Sequence, residues 1–307
     1  MSENELVKRP DNFLDMYDGT SSDDDWGDVE SDANIESLFP KIKLQKGAKE
    51  DAACTIQVLI GGEPVLQEQD LVFCLIGSYG SRLLWPPDES DEVRPPQCFT
   101  GLVSVSDMKN ERCSGKWLEE EGRSEQPCKG CEWNEFGSEA EWRSKEGSKG
   151  KACKEQRVFY VALLKPFQQV GKVPSGPRKD APIYNYAHDD RFAIPGVNPY
   201  GLVKINISLS SSRPMTEYVS TTLTGMKGRV AGKCCVAFGL TGTTMKAGTN
   251  LYASFQAVQV GLLVGKPAAD YPILRDAGVW LKEYLDEKGD EEALDQNPVE
   301  KKEEIPF

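Results

Sequence analysis

The sequence has few of the residues and motifs on which enzyme sites depend. It contains one histidine, His188, in 307 residues. Two-histidine metalloprotease sites are therefore excluded, and a serine–histidine–aspartate triad would have to use His188. Neither a Gly-x-x-x-x-Gly-Lys-Ser/Thr phosphate loop nor a Gly-x-Gly-x-x-Gly fingerprint is present. We therefore predict that the protein is not an enzyme; a metal nuclease built on Asp189 and Asp190 is the open alternative.

Long apolar segments are missing as well. No segment approaches the ~20 apolar residues that a membrane-spanning helix needs, so we expect no membrane partner. The chain starts with MSENELVKRPDNFLDMYDG, which lacks the basic and then apolar layout of a secretory signal. We therefore expect the protein to stay in the cytoplasm in which it is made.

The acidic charge is concentrated at the two ends of the chain. The net charge is −13, and residues 1–50 and 270–307 contribute −7 each. The segment between them, residues 51–269, has a net charge of +1. Acidic ends that are poor in apolar residues are usually solvated and disordered. We therefore predict an acidic disordered arm over residues 1–38 and an acidic C-terminal tail over residues 287–307.

Short apolar segments, separated by Gly, Pro, Asn and Ser, fill the middle of the chain. Alternation at Phe39–Leu44 predicts a first strand, and the short strand-like segments that follow it favour an antiparallel barrel or sandwich over alternating β-α units. We predict a mainly β core over residues 39–270, followed by a short helix over residues 271–286. The predicted strands are Thr55–Ile60, Leu71–Ile76, Val158–Leu164, Leu202–Leu209, Lys233–Leu240 and Leu251–Gln259, and helical spacing covers Thr216–Met226.

A polar, Gly-rich and Cys-rich insertion interrupts this pattern at about residues 95–157. Five of the nine cysteines fall in it, including the pair Cys128-Lys-Gly-Cys131. A Cys-x-x-Cys turn places two thiolates on one face of a tetrahedral Zn²⁺ site, and a second pair closes a structural site. Because the insertion has few aliphatic residues to bury, a metal would supply its organising energy. The candidates for the second pair are Cys98, Cys113 and Cys153.

The remaining cysteines lie in apolar, strand-like segments. Thiols stay reduced in the cytoplasm, so we expect no disulfides among them. We predict that these four are small buried apolar residues. They are Cys54, Cys74, Cys234 and Cys235.

Basic and aromatic residues coincide in one region. Residues 141–180 contain ten basic and four acidic side chains, and aromatic residues lie within this segment and on both sides of it. Single-stranded DNA is bound without sequence preference by cations along its phosphates and by aromatic faces on which its bases stack. We expect Tyr184 and Tyr186 to lie in a loop and to stack on bases. The predicted DNA-binding residues are Arg143, Lys145, Lys149, Lys151, Lys154, Arg157, Tyr184 and Tyr186.

The C-terminal end carries a resemblance to a known family. The chain ends in Glu303-Glu304-Ile305-Pro306-Phe307. This end resembles the tip of bacterial single-stranded-DNA-binding proteins, where acidic residues precede Ile-Pro-Phe. The resemblance implies that these five residues bind a partner protein. Phe307, with its α-carboxylate, is suited to an apolar pocket rimmed by Lys or Arg.

Three segments of the insertion resemble the zinc segment of phage-encoded single-stranded-DNA-binding proteins. They begin at Cys98-Phe-Thr-Gly, at Cys128-Lys-Gly-Cys131 and at Gly150-Lys-Ala-Cys153. The resemblance implies that Cys98, Cys128, Cys131 and Cys153 hold the zinc. Cys113 lies in a stretch that shows little match, and it remains an alternative to Cys98.

Together these features predict a function. We expect sequence-independent binding and protection of single-stranded DNA in replication or recombination, by an OB-like barrel of the kind that often binds single strands. The resemblance implies that the tail recruits replication or recombination proteins in the cytoplasm of a bacterial host. The alternatives are a zinc-containing adaptor or transcription regulator that binds protein partners, and a strand-annealing recombination protein.

Overall fold

The structure is a computed structural model. It describes residues 39–87, 96–104, 111–144, 146–172, 175, 179–180, 182–227, 229–230, 232–247, 250–262 and 271–294. The predicted acidic arm over residues 1–38 and the tail beyond residue 294 lie outside the described residues. What the sequence predicts for those two segments stays a prediction.

Strands dominate the described part of the chain. In chain order they are β1 (Lys41–Gln45), β2 (Thr55–Ile60), β3 (Glu63–Glu68), β4 (Leu71–Leu84), β5 (Cys98–Phe99), β6 (Val103–Ser104), β7 (Arg112–Cys113), β8 (Gln126–Pro127), β9 (Cys153–Lys172), β10 (Pro182–His188), β11 (Leu202–Ser208), β12 (Val236–Ala247) and β13 (Asn250–Leu262). The helices are α1 (Lys116–Glu120), α2 (Ser138–Trp142), α3 (Leu209–Met226) and α4 (Tyr271–Leu294), and 3₁₀ turns cover Glu132–Asn134 and Lys233–Cys235.

Five of these strands close a barrel. Around the barrel the order is β4, β9, β10, β13 and β12, and β12 pairs again with β4. The pairings are antiparallel except that of β10 with β13, which is parallel. Strand β11 also pairs with β9 and joins β1, β2 and β3 to the sheet. The prediction of a mainly β chain with an OB-like barrel is therefore confirmed.

Strand β9 is the centre of the fold because both of its faces are buried. Phe159, Val161 and Leu163 belong to one apolar core, which also contains residues of α3. Tyr160 and Ala162 belong to a second core, against which α4 packs. A strand covered on both faces has a continuous apolar sequence rather than an alternating one.

Helix α4 covers the second core. The side chains that it buries, Leu274, Ala277, Leu281 and Leu285, recur every three or four residues, as one face of a helix requires. The predicted end of this helix at residue 286 is wrong, because α4 continues to Leu294. The added segment contains Glu, Lys, Ala and Leu, all of which favour helix despite the acidic charge. None of the described helices is long and apolar enough to cross a membrane.

Two local predictions need correction. The segment that contains Tyr184 and Tyr186 is strand β10, not a loop. Pro182 is its first residue, a position where a strand tolerates the missing N–H. Lys233–Cys235 is a 3₁₀ turn, and the strand predicted there begins at Val236.

Candidate metal centre and nucleic-acid interface

The Cys-rich insertion leaves the barrel between β4 and β9, where Leu84 pairs with Cys153. It contains a two-stranded ribbon of β7 and β8 and the short helices α1 and α2. Its buried cluster has few aliphatic side chains and is formed mainly by cysteines and by three tryptophans, Trp117, Trp133 and Trp142.

All five cysteines of the insertion line one small cavity. Its volume is about 10 Å³, close to the space that one water molecule needs. Leu84, Trp117, Trp133 and Asn134 complete the wall. The structure thus places the four thiols that were predicted as ligands in one site, and it adds Cys113 to them. The five are Cys98, Cys113, Cys128, Cys131 and Cys153.

Cys113 is central among these thiols. Its Sγ donates to the carbonyl of Gln126 at 3.6 Å, and contact with the thiols of Cys128 and Cys98 lowers its pKa. The same contacts, together with burial, raise the pKa of Cys98 and of Cys128. Thiols whose proton equilibria are linked in this way can bind a cation in place of their protons, because metal ligation requires deprotonated sulfur.

The Cys128–Cys131 turn presents its second sulfur to several donors. Gly130 has a φ of 80°, a left-handed conformation that favours glycine. Gln126 donates its Nε2–H to Cys131 Sγ at 3.2 Å. Burial raises the pKa of Cys131, and the backbone N–H groups of Trp133 and Asn134 oppose this shift. Donors of this kind stabilise a thiolate.

Cys153 differs from the other four. It is the first residue of β9, and no hydrogen bond between its thiol and another thiol is found within the described residues. Burial, and then the nearby Cys131, raise its pKa to about 12. Among the described residues, no three His, Cys, Asp or Glu side chains already stand in the geometry of a metal site. The thiols therefore share a cavity, but they do not yet surround a single point.

Buried ion pairs connect the insertion to the barrel. Arg82 of β4 lies 2.6 Å from the carboxylate of Glu111 and 3.3 Å from that of Glu155. Glu111 lies just before β7, and burial raises its pKa to about 7 although Arg82 opposes the shift. Arg157 pairs with Glu155 at 2.7 Å. Arg157 was predicted to contact DNA, but its guanidinium group takes part in this network of ion pairs.

Two further predicted DNA contacts, Lys154 and Arg143, are half-buried in the structure. Lys154 donates to Glu139 at 2.8 Å, and Ser148 donates to the same carboxylate at 2.7 Å. Glu139 is buried, and its pKa stays below the usual range: burial raises it, but the hydrogen bond from Lys154 and other donors outweigh burial. The ion pair with Glu139 gives Lys154 a structural role in the insertion.

The two predicted stacking tyrosines are not equivalent. Tyr186 is only 5% exposed and belongs to the second core, so the expectation that it stacks on a base is corrected. Tyr184 is half-buried and packs edge-on against Tyr186, with 6.3 Å between the ring centroids. Both side chains lie two residues apart on β10 and pack against the second core, Tyr186 as a buried member of it and Tyr184 as a partly buried neighbour.

The remaining predicted cations lie at the surface. Lys149 is exposed, and Lys151 is half-buried with its Nζ 4.9 Å from the ring centroid of Phe136. Lys145 lies outside the described residues. The four cysteines predicted to be buried, Cys54, Cys74, Cys234 and Cys235, are buried.

Sequence reasoning missed a surface on β9 and β10. Residues 165–172 of β9 pair with residues 182–187 of β10, and we call this unit the β9–β10 ribbon. Two register shifts leave Phe167 and Val170 without a partner on β10. Both are exposed, Phe167 by 49% and Val170 by 53%. A β-bulge re-aims the side chain of its extra residue, and no residue pattern within one strand reports such a shift.

No protein-family model, curated protein or solved structure matches the chain. The assignment of a function therefore depends on the residues and the geometry described above.

Proposed function

We propose that the protein binds single-stranded DNA without sequence preference. The observation that carries this proposal is the β9–β10 ribbon, where two bulges present Phe167 and Val170 to solvent. Lys165 and Lys172 stand at the two ends of the same segment, and both are exposed. Apolar and aromatic surface for bases, next to cations for phosphates, is the combination that single strands require.

The order of the barrel strands agrees with this location. In chain order the barrel strands are β4, β9, β10, β12 and β13, and the third pairs in parallel with the fifth. This order is compatible with the OB fold, which binds oligonucleotides on its second and third strands and on the loop between its first two. Here the second and third strands form the ribbon, and the Cys-rich insertion is the loop between β4 and β9.

The ion pair near the β9–β10 ribbon leaves the positive charge of Lys165 available to a phosphate group. Lys165 lies 3.9 Å from Asp190, and both side chains are largely exposed. Exposed pairs at such a distance contribute little and are screened by salt. A phosphate can therefore replace the carboxylate beside Lys165 at small cost.

We also propose that the insertion binds a structural Zn²⁺ ion, which would draw the thiols together around one point. Five thiols line one cavity, and four thiolates are the donor set of a closed zinc site. Cys98, Cys113 and Cys128 are connected by thiol contacts, and Cys131 completes the Cys-x-x-Cys turn, so we assign these four as ligands. Cys153, which the resemblance assigned as a ligand, is then the fifth thiol. Zinc bound in this way would hold the insertion together. It would be structural rather than catalytic, because a site closed by four thiolates has no position for water.

The recruitment of protein partners stays a prediction from the sequence. The residues that carry it, Glu303, Glu304, Ile305, Pro306 and Phe307, lie outside the described residues. The test of DNA binding by the β9–β10 ribbon does not depend on these five residues.

The test measures how binding depends on salt. We expect the affinity for an oligothymidylate of about 30 nucleotides to fall steeply as salt increases, in a fluorescence anisotropy titration. Replacement of both Lys165 and Lys172 by Gln removes two phosphate contacts. The slope of log affinity against log salt should then become less negative by about 1.4.

The matched control changes the same charge elsewhere. Lys227 at the end of α3 and Lys282 on α4 are exposed, and the double Gln variant at these positions should keep the slope of the unmodified protein. An equal change in both double variants, or no change in either, would place the DNA path away from the ribbon.

A further inference from the structure

Phe136 is the most exposed large apolar side chain in the described part of the chain. It is 82% exposed and follows the Cys128–Cys131 turn in the insertion. Lys151 lies over its ring, with Nζ 4.9 Å from the ring centroid. A cation at this distance attracts the ring and limits its motion. With so little of the side chain covered, the other face of the ring is open to solvent.

The segment that carries Phe136 is held by hydrogen bonds on both sides. The next residue, Gly137, has a φ of 90°, and its N–H donates to the carbonyl groups of Lys149 at 3.2 Å and Gly150 at 3.0 Å. This contact fixes the backbone of exposed Lys149 next to the residue that follows Phe136. Ser138 donates to the carbonyl of Trp133 at 3.0 Å. The backbone that carries the ring is therefore held in place before any ligand arrives.

A chain of contacts runs from the ring to the thiol cavity. Lys151 donates to Asn134 Oδ1 at 3.2 Å, and Asn134 donates its Nδ2–H to the carbonyl of Cys128 at 3.0 Å. The N–H of Asn134 also donates to the carbonyl of Cys131 at 3.0 Å. Asn134 thus links the cation above the ring to the turn that carries two of the assigned zinc ligands.

We propose that Phe136 is a stacking site for one nucleobase of the bound strand. The base stacks on the ring face opposite Lys151, and Lys149 binds a neighbouring phosphate. Every base has a face that can stack, so the site accepts any base. This inference rests on the proposed function, because the base belongs to the same single strand that the ribbon binds.

The experiment separates stacking from charge. Affinities are measured by anisotropy at fixed salt for two oligonucleotides of equal length, an oligothymidylate and its abasic counterpart, which keeps the phosphates but has no bases. Phe136→Ala should lower the affinity for the oligothymidylate by about 5- to 150-fold. It should leave the affinity for the abasic strand unchanged, because no phosphate contact is lost.

Three controls keep the result interpretable. Phe136→Trp should preserve the affinity for the oligothymidylate, because indole also stacks. Val65→Ala removes an exposed apolar side chain on β3, 45% exposed, and should have no effect on either strand. The zinc content of each variant, measured by native mass spectrometry, shows whether the insertion is intact.

The outcomes are distinct. If the unmodified protein binds the oligothymidylate and Phe136→Ala binds it equally well, the stacking site is wrong and the proposed function stands. An equal loss on the abasic strand would show that Phe136 acts by supporting the surface, which also overturns the stacking site. Failure of the unmodified protein to bind either strand overturns the proposed function as well.

Discussion

At the scale of single residues, Cys113 lies at the centre of the thiol site. Its sulfur is the one that contacts two other thiols, and these contacts favour its ionised form. Cys153 has no such contact with another thiol in the described structure. Because four sulfurs must meet at one ion, the thiols that already contact one another need the least rearrangement to bind it.

We expect the two cysteines to respond differently to replacement by serine. Cys113→Ser should lose bound zinc, whereas Cys153→Ser should retain one zinc per chain. Native mass spectrometry of both variants, purified under reducing conditions, checks this. Zinc retained in Cys113→Ser and lost in Cys153→Ser would favour the ligand set implied by the resemblance.

The sequence could predict the thiols but not the aromatic contacts. Cys-x-x-Cys spacing depends on local geometry, so Cys128 and Cys131 were identifiable without a fold. The exposure of Tyr186, Phe136 and Phe167 depends on what packs against each ring, which is a property of distant segments. For this reason Tyr186 was assigned to the wrong environment, while Phe136 and Phe167 were not selected as site residues.

At the scale of elements, α4 illustrates what holds the second core together. Leu281 is fully buried in this helix, and Gly77 of β4 packs closely against it: a Cβ at Gly77 would lie 2.9 Å from its Cδ2. Trp280 and Tyr284 stack on each other, with 5.5 Å between their centroids, and both meet the ring of Phe39 edge-on. The helix is thus part of the folded body and not a loose start of the tail.

Leu281→Ala should lower the free energy of unfolding by about 2–5 kcal/mol, because it removes buried methyl groups and leaves a cavity. The control is Val279→Ala on the same helix. Val279 is 55% exposed, so its loss should change the free energy by no more than about 0.5 kcal/mol. Urea unfolding of the three proteins measures both values. Equal effects would show that α4 does not pack on the barrel as described.

The centres of the elements were predictable, whereas their ends were not. Short continuous apolar segments identified the first half of β4 and the middle of β9, where side chains are buried. The end of β9 contains Pro166, Gln168 and Gln169 and has no apolar pattern, because this part of the strand is exposed. Its strand conformation comes from pairing with β10, a partner that the local sequence does not reveal.

At the scale of the whole molecule, charge separates the body from the ends. The two ends contribute −7 each to the net charge of −13, and residues 51–269 contribute +1. A polyanion is repelled by the ends, so binding depends on local cations such as Lys149, Lys165 and Lys172. Composition and spacing predicted an antiparallel barrel or sandwich, but the closed barrel, its strand order and the place of the ribbon required the structure.

The central claim is that the folded body prefers unpaired strands. The most direct test is a competition experiment at low salt, in which unlabelled single strand or duplex of equal length displaces a labelled oligothymidylate. A single strand exposes base faces for stacking, whereas a duplex hides them. We predict displacement by the single strand at much lower concentrations than by the duplex. Equal displacement by both, or no binding of the labelled strand at all, would contradict the account.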